Sequence, residues 1–241
     1  MVVGGTVGIG LAIAEGLLAA GDRVWVTGRG RHLAEAEEAL GARARVVALD
    51  IAQPTEIAAF AVAAGDQLGP LDAVFVNAGV ARFELIEEVS VASLDEILQV
   101  NLRGAYLVVQ QLSPLVRDGG AFVFTTVTGA AAEPGLSAYI AAKAGLRSLL
   151  ATLSADLMTR RIRFNAVAPG FIGTPTMGDS KASPEEVAEM HARGAELTPM
   201  GRVGTPSEVA RAAIFLAFDA TFTTGVELAV DGGLAAVRSW R

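Results

Sequence analysis

The chain has no cysteine, so it carries neither a disulfide framework nor a thiolate nucleophile. Histidine is almost as scarce. His32 and His191 are the only two, and neither has a second ligand at metal spacing. A metal hydrolase or a Ser-His-Asp enzyme is therefore not expected, and no metal ligand is assigned. Long apolar runs are missing, so no segment reaches the length needed to span a bilayer. The start "MVVGG" lacks a basic region and a signal-like stretch. The expectation is a soluble, cytoplasmic protein with no membrane partner. Positive charge is in deficit: the net charge is -7. A nucleic-acid partner needs a basic face and is not expected, although a local basic pocket for one small phosphate remains open. Of 19 lysines and arginines only Lys143 and Lys181 are lysine, and Tyr106 and Tyr139 are the only tyrosines.

What is present is 241 residues, 52% of them hydrophobic, with alanine and glycine dominant, a composition that suits close packing of helices on a sheet. Short apolar runs alternate with amphipathic stretches. The runs predict strands at 2–5, 23–28, 44–50, 71–79, 120–127, 162–170 and 226–233. Helices are expected at 8–21, 33–41, 54–68, 94–116, 138–160, 184–195 and 206–217. Strands alternating with helices predict an α/β fold: a three-layer, doubly wound parallel sheet, Rossmann-like, in a single domain over 1–241. No repeat, linker or low-complexity stretch divides it. The first strand is short for a central parallel strand, which normally has about five or six residues. Either the start is truncated or the sheet tolerates it.

"GGTVGIG" (4–10) sits where the first strand becomes a helix. Gly4, Gly8 and Gly10 suit a tight turn, close backbone approach to a pyrophosphate and close helix–strand packing. The helix N-terminus adds free N–H groups and a favourable dipole. Thr6 and Ile9 lie within this turn and join the candidate cofactor contacts. A glycine-rich turn with no ligand is the bland alternative. At the end of the second strand, where an NAD site usually places an acid, stand Gly28, Arg29, Gly30 and Arg31. Two guanidiniums and no carboxylate suit a 2′-phosphate, so NADP(H) is expected ahead of NAD(H). Ordinary solvated arginines would look the same.

Tyr139 and Lys143 are one helical turn apart and share a face. An unperturbed phenol titrates near 10, and a nearby ammonium is expected to lower that value toward neutrality. A chance pairing of a buried tyrosine and a surface lysine is the alternative. Thirteen residues before Tyr139 stands Thr126, at a strand end, where its hydroxyl can donate to a substrate oxygen. Thr125 and Thr128 fit that spacing less well. Asn101 is a polar residue among apolar ones in mid-helix, either a satisfied core amide or a group that holds a bent helix open.

In their order along the chain these segments resemble the short-chain dehydrogenase/reductase family, in its soluble, single-domain branch. "VGGTVGIG", "LDI" (49–51), "VNAG" (76–79), "VNLRG" (100–104), "YIAAK" (139–143), "NAVAPGFIGT" (165–174), "GRVGTPSEVA" (201–210) and "TGVELAVDGG" (224–233) cover nearly the whole length. The resemblance implies hydride transfer between a nicotinamide cofactor and an alcohol or carbonyl. It makes Tyr139 the general acid/base. Lys143 is the group that lowers its pKa and holds the nicotinamide ribose, Thr126 orients the substrate oxygen, and Asn101 supports a proton relay. It places Asp50 and Ile51 beside the adenine and Asn77, Ala78 and Gly79 beside the adenine ribose. Pro169, Gly170, Ile172 and Thr174 fall on the nicotinamide side. It also implies a homo-oligomer, dimer or tetramer, and a substrate lid over 175–200, with Ser183 as N-cap of its helix. Three positions depart from the family pattern: Thr126 for serine, Val3 for the threonine before the glycine turn, and Val76 for the first asparagine of "NNAG". The partner expected is a small or medium, largely apolar ketone or alcohol. A weakened dinucleotide-binding regulatory protein, or an isomerase, epimerase or dehydratase on the same fold, are the alternatives.

Overall fold

The computed structural model describes residues 1–30, 32–128, 134–174 and 183–237. Its centre is a seven-stranded sheet. The strands are β1 (Val2–Val3), β2 (Val24–Gly28), β3 (Ala44–Ala48), β4 (Leu71–Val76), β5 (Val116–Thr125), β6 (Arg163–Pro169) and β7 (Glu227–Val230). They lie in the order β3-β2-β1-β4-β5-β6-β7, each pairing parallel to its neighbour. The helices are α1 (Gly8–Ala19), α2 (His32–Leu40), α3 (Pro54–Leu68), α4 (Val91–Leu98), α5 (Ala105–Leu112), α6 (Ser137–Asp156), α7 (Pro184–Leu197) and α8 (Pro206–Phe218). Parallel strands need crossovers, and the helices supply them on both faces. One face buries Phe122, Phe124, Phe164 and Ala166 with Leu146 and Leu150 of α6, and the other buries Val2, Val26, Phe75 and Val123 with α1 and α8.

The chain runs outward from β1 through β2 to β3, then returns to place β4 on the other side of β1. That reversal opens a crevice at the carboxyl ends of β1 and β4, the place where ligands bind in open sheets of this kind. The pocket lined by Met1, Leu17, Arg23, Leu71 and Phe218 opens at the opposite end of the sheet and contains none of the candidate site residues.

Several boundaries differ from the sequence expectation. β1 pairs over only Val2 and Val3, because Gly4 turns to φ +79°. The single helix expected at 94–116 is α4, a π-helical turn over Gln99–Gly104, and α5, after which Pro114 opens a short 3-10 turn. β5 then begins at Val116, earlier than expected, through a bulge: Leu71 pairs Val116 but Ala73 pairs Ala121, and Gly119 takes φ +80° inside it. At the other end β7 stops at Val230, since Gly232 and Gly233 adopt positive φ.

Side chains hold several helix ends. Ser183 and Thr205 form capping boxes with Glu186 and Glu208 at the starts of α7 and α8. The buried guanidinium of Arg163 donates to the carbonyls of Leu216, Ala217 and Ala220 at the end of α8, where the helix dipole favours a cation. No helix among the described residues is long and apolar enough to cross a membrane.

Candidate active site

The two turns flanking the crevice pack backbone on backbone. A side chain at Gly4 would collide with Ala78, and one at Gly10 would collide with Gly4 O and with Asn77 Nδ2. The backbone N–H groups of Asn77 and Ala78 both donate to Val3 O at 2.9 Å, and Asn77 Nδ2 donates to Gly4 O at 2.7 Å. The glycines are thus required by contact as well as by φ, which is +59° at Gly8. α1 starts behind Val7 without a side-chain cap and with no acid in its first turn. By contrast, Ser90, Ser183 and Thr205 cap α4, α7 and α8. An anion fits at this uncapped start, fronted by Gly8, Ile9 and Gly10, with Thr174 close to Gly8. Thr6 fills the space above Gly28, so that position excludes any larger side chain.

At the end of β2, Arg29 Nη1 pairs with Asp50 Oδ2 at 3.1 Å, and Asp50 Oδ1 accepts from Ala52 N. Both ionised groups are partly exposed, so the pair contributes little to stability. Ile51 is buried in the core rather than open to the crevice. Arg31 lies outside the described residues.

The π turn brings Asn101 in, fully buried. Its Nδ2 donates to Val80 O at 2.8 Å and Ile97 O at 3.0 Å, and its Oδ1 accepts from Val80 N. The amide therefore clamps the chain just after Gly79. A Cβ on Gly79 would lie 2.7 Å from Asn101 Oδ1 and 3.2 Å from Lys143 Nζ, so Gly79, Asn101 and Lys143 converge.

Lys143 is 3% exposed and donates to Thr125 O at 2.8 Å. Burial lowers its ammonium from the ordinary range to about 8. Its Nζ lies 5.7 Å from the centre of the Tyr139 ring. The Tyr139 phenol is pushed up to about 12, again by burial. The expectation of a lowered phenol is thus reversed in the protein alone: desolvation outweighs an ammonium that sits over the ring.

Thr126 needs a second correction. It is 2% exposed, and its hydroxyl, expected to donate into the crevice, points to Glu227 Oε1 at 2.7 Å and Val167 O at 3.0 Å. Two neighbours ranked below it have clear partners. Thr125 donates its hydroxyl to Asn77 Oδ1 at 2.9 Å and lends its carbonyl to Lys143, and Thr128 donates to Asp231 Oδ2 at 2.9 Å. Glu227 was not among the candidates. No local spacing connects it to Thr126, since 101 residues separate them.

Beyond β6, a Cβ built on Gly170 would lie 2.9 Å from Asp231, and Ile172 is buried and bridges to Gly204. Phe171 packs against Gly194 of α7, and His191 of the same helix lies 3.3 Å from a Cβ built on Gly173. This sets α7 against the segment that follows Pro169. Met190 is half-buried on it, while 175–182, including Met177, fall outside the described residues.

The family described as Enoyl-(Acyl carrier protein) reductase matches residues 4–235. The chain is 36% identical over 244 residues to 2-(S)-hydroxypropyl-CoM dehydrogenase 3 of Xanthobacter autotrophicus, covering 98% of this chain and 96% of the relative. It is 32% identical over 246 residues to the NADP-dependent (R)-specific alcohol dehydrogenase of Lentilactobacillus kefiri, covering 98% and 96%. Among solved structures, the 3-ketoacyl-(acyl-carrier-protein) reductase of Brucella melitensis complexed with NADH superimposes with a TM-score of 0.87 at 29% identity, covering 97% and 96% of the two chains.

Proposed function

The chain belongs to the short-chain dehydrogenase/reductase family of oxidoreductases, and from that membership we propose that it interconverts a small, largely apolar alcohol and its ketone, with NADP(H) ahead of NAD(H). Hydride donation or acceptance is the chemistry a nicotinamide cofactor supplies when bound. The chain's own residues do the rest. Gly4, Thr6, Gly8, Ile9 and Gly10 would hold the diphosphate on the start of α1. Asn77, Ala78 and Gly79 would meet the adenine ribose, and Asp50 the adenine, with Ile51 contributing through its backbone because its side chain is buried. Pro169, Gly170, Ile172 and Thr174 would line the nicotinamide side. Arg29 and Arg31 favour the 2′-phosphate, and the similarity to an NADP-dependent alcohol dehydrogenase supports that choice. The lid over 175–200 would close on the substrate and exclude water.

The observation that carries this reading is the burial of Lys143 Nζ beside the Tyr139 ring, Asn101 and Gly79. Tyr139 holds its proton at neutral pH and can give it to a carbonyl oxygen as charge develops there. Lys143, held by Thr125 O, would steady the resulting phenolate and meet the nicotinamide ribose. Asn101 keeps the chain around Val80 in place, leaving room for a relay through Lys143. Assembly as a homo-oligomer, dimer or tetramer, belongs to the same proposal and is read by sedimentation.

A panel of ketones and alcohols assayed with NADPH and with NADH tests this. Turnover of at least one pair, faster with NADPH, is expected, and its loss in Tyr139→Phe ties it to the site. One observation favours a second reading. Because the Thr126 hydroxyl is committed to Glu227, a cofactor-binding regulator that reduces nothing is the alternative. Cofactor binding with no turnover across the panel would select it.

A further inference from the structure

The Thr126 hydroxyl has one proton and two acceptors in reach. Glu227 Oε1 is at 2.7 Å and Val167 O at 3.0 Å. A bond to a carboxylate is about twice as strong as one to a neutral carbonyl. Val167 O already accepts the Thr126 backbone N–H at 2.9 Å. The hydroxyl therefore donates to Glu227.

Glu227 opens β7, in register with Ala166, and so stands on the sheet face that α6 covers. Its other oxygen, Oε2, meets Arg147 Nε at 3.2 Å, one turn beyond Lys143. The Arg147 side chain is 64% exposed and the Glu227 side chain 15%. The pair contributes little energy, but it keeps the carboxylate turned in toward Thr126.

We propose that Glu227 is a positioning residue of the site: by holding the only proton of Thr126 it makes Thr126 a hydrogen-bond acceptor toward the crevice, so the site favours an alcohol O–H over a carbonyl oxygen. This rests on the oxidoreductase reading, with Thr126 beside the reacting oxygen. A carbonyl can only accept, and it finds its donor in protonated Tyr139. An alcohol accepts from Tyr139 and also donates to Thr126. The equilibrium constant of the overall reaction is fixed, so the preference lies in ligand binding. Unreactive ligands read it, not the ratio of forward and reverse rates.

The experiment measures inhibition constants of two unreactive probes against whichever substrate the panel returns. The probes are tert-butanol, which donates and accepts, and dimethyl sulfoxide, which only accepts. Glu227→Leu removes the acceptor, freeing the Thr126 proton for Val167 O or the ligand. The ratio of the two constants is expected to move about tenfold toward the sulfoxide, the scale of one hydrogen bond. Glu227→Gln keeps a neutral acceptor and moves it part way, which also serves if the leucine variant fails to fold. In a Thr126→Val background, adding Glu227→Gln should leave the ratio where it was. Equal changes for both probes, or the same shift without the threonine hydroxyl, overturn the proposal. A wild type that turns over no alcohol or carbonyl sinks the oxidoreductase reading and the inference with it. An active wild type whose ratio does not respond to Glu227 sinks the inference alone.

Discussion

Two residues in the site are held against their own ionisation, and this sets their measurable behaviour. Tyr139 is pushed up to about 12 and Lys143 down to about 8, both by burial. The lysine's folded value lies below its unfolded one. Between about pH 8 and 10.5 the unfolded chain therefore binds a proton that the folded chain does not, and stability rises with pH across that window. Below about 8 the penalty is complete, about 3 kcal/mol for a shift of that size. Lys143→Met removes it but orphans Thr125 O, which costs about 1 kcal/mol. The variant is expected to be inert yet to melt about 4–8 °C higher at pH 7, by calorimetry. The same lysine should show in the rates: kcat/KM for carbonyl reduction is expected to be level up to about pH 8 and to fall above it, as Lys143 loses its proton. Tyr139→Phe should lose about a thousandfold in turnover while cofactor binding, followed by fluorescence titration, stays within a few fold. The Tyr139–Lys143 spacing was legible because one helical turn fixes which face two residues share. The direction of the Tyr139 shift was not, because burial is a property of everything packed around the ring.

At the scale of elements, the glycine turn and the alternation of strand and helix could be read directly, since each rests on a local pattern. The chain between Leu94 and Val116 could not. Its apolar periodicity looks like one helix, but the side chain of Asn101 takes the carbonyl of Ile97, and the ladder widens into a π turn around it. That choice depends on Val80, 21 residues away, whose N–H and C=O both bond the same amide. Val116 likewise pairs with Leu71 only through a bulge that no local signal announces. Thr126 was found by spacing, yet where its hydroxyl points is decided by a residue on β7. The π turn is therefore a long-range element, and removing its long-range partner should undo it. Asn101→Leu preserves volume but strands Val80 N–H, Val80 O and Ile97 O. A loss of about 2–4 kcal/mol is expected in urea unfolding, with activity falling alongside. Unchanged stability would mean that the amide follows the turn rather than making it.

For the whole molecule, the arrangement that matters is the reversal of strand order between β1 and β4, with only two paired residues in β1 to hold the middle of the sheet. The crevice is therefore built from two turns pressed together, Gly4–Gly10 against Asn77–Gly79. A ligand that spans both would bind the folded chain and not the unfolded one. Binding of that kind stabilises by mass action: at a hundredfold excess over Kd the gain is about 2.7 kcal/mol. For a chain of this size each kcal/mol moves Tm by about 2–4 °C, so a shift of about 5–10 °C is expected with NADPH. NADH at the same concentration should shift it less. The difference is assigned to Arg29 and Arg31, because Gly28, packed under Thr6, leaves no carboxylate to hold a ribose 2′-hydroxyl. Arg29 is paired with Asp50 and must be shared with a 2′-phosphate, whose double charge is the stronger partner. Arg29→Ala should therefore bring the NADPH shift down toward that of NADH while leaving the NADH shift in place. Equal shifts for the two cofactors in the unmodified protein would remove the 2′-phosphate preference, and no shift with either would remove the crevice as a dinucleotide site.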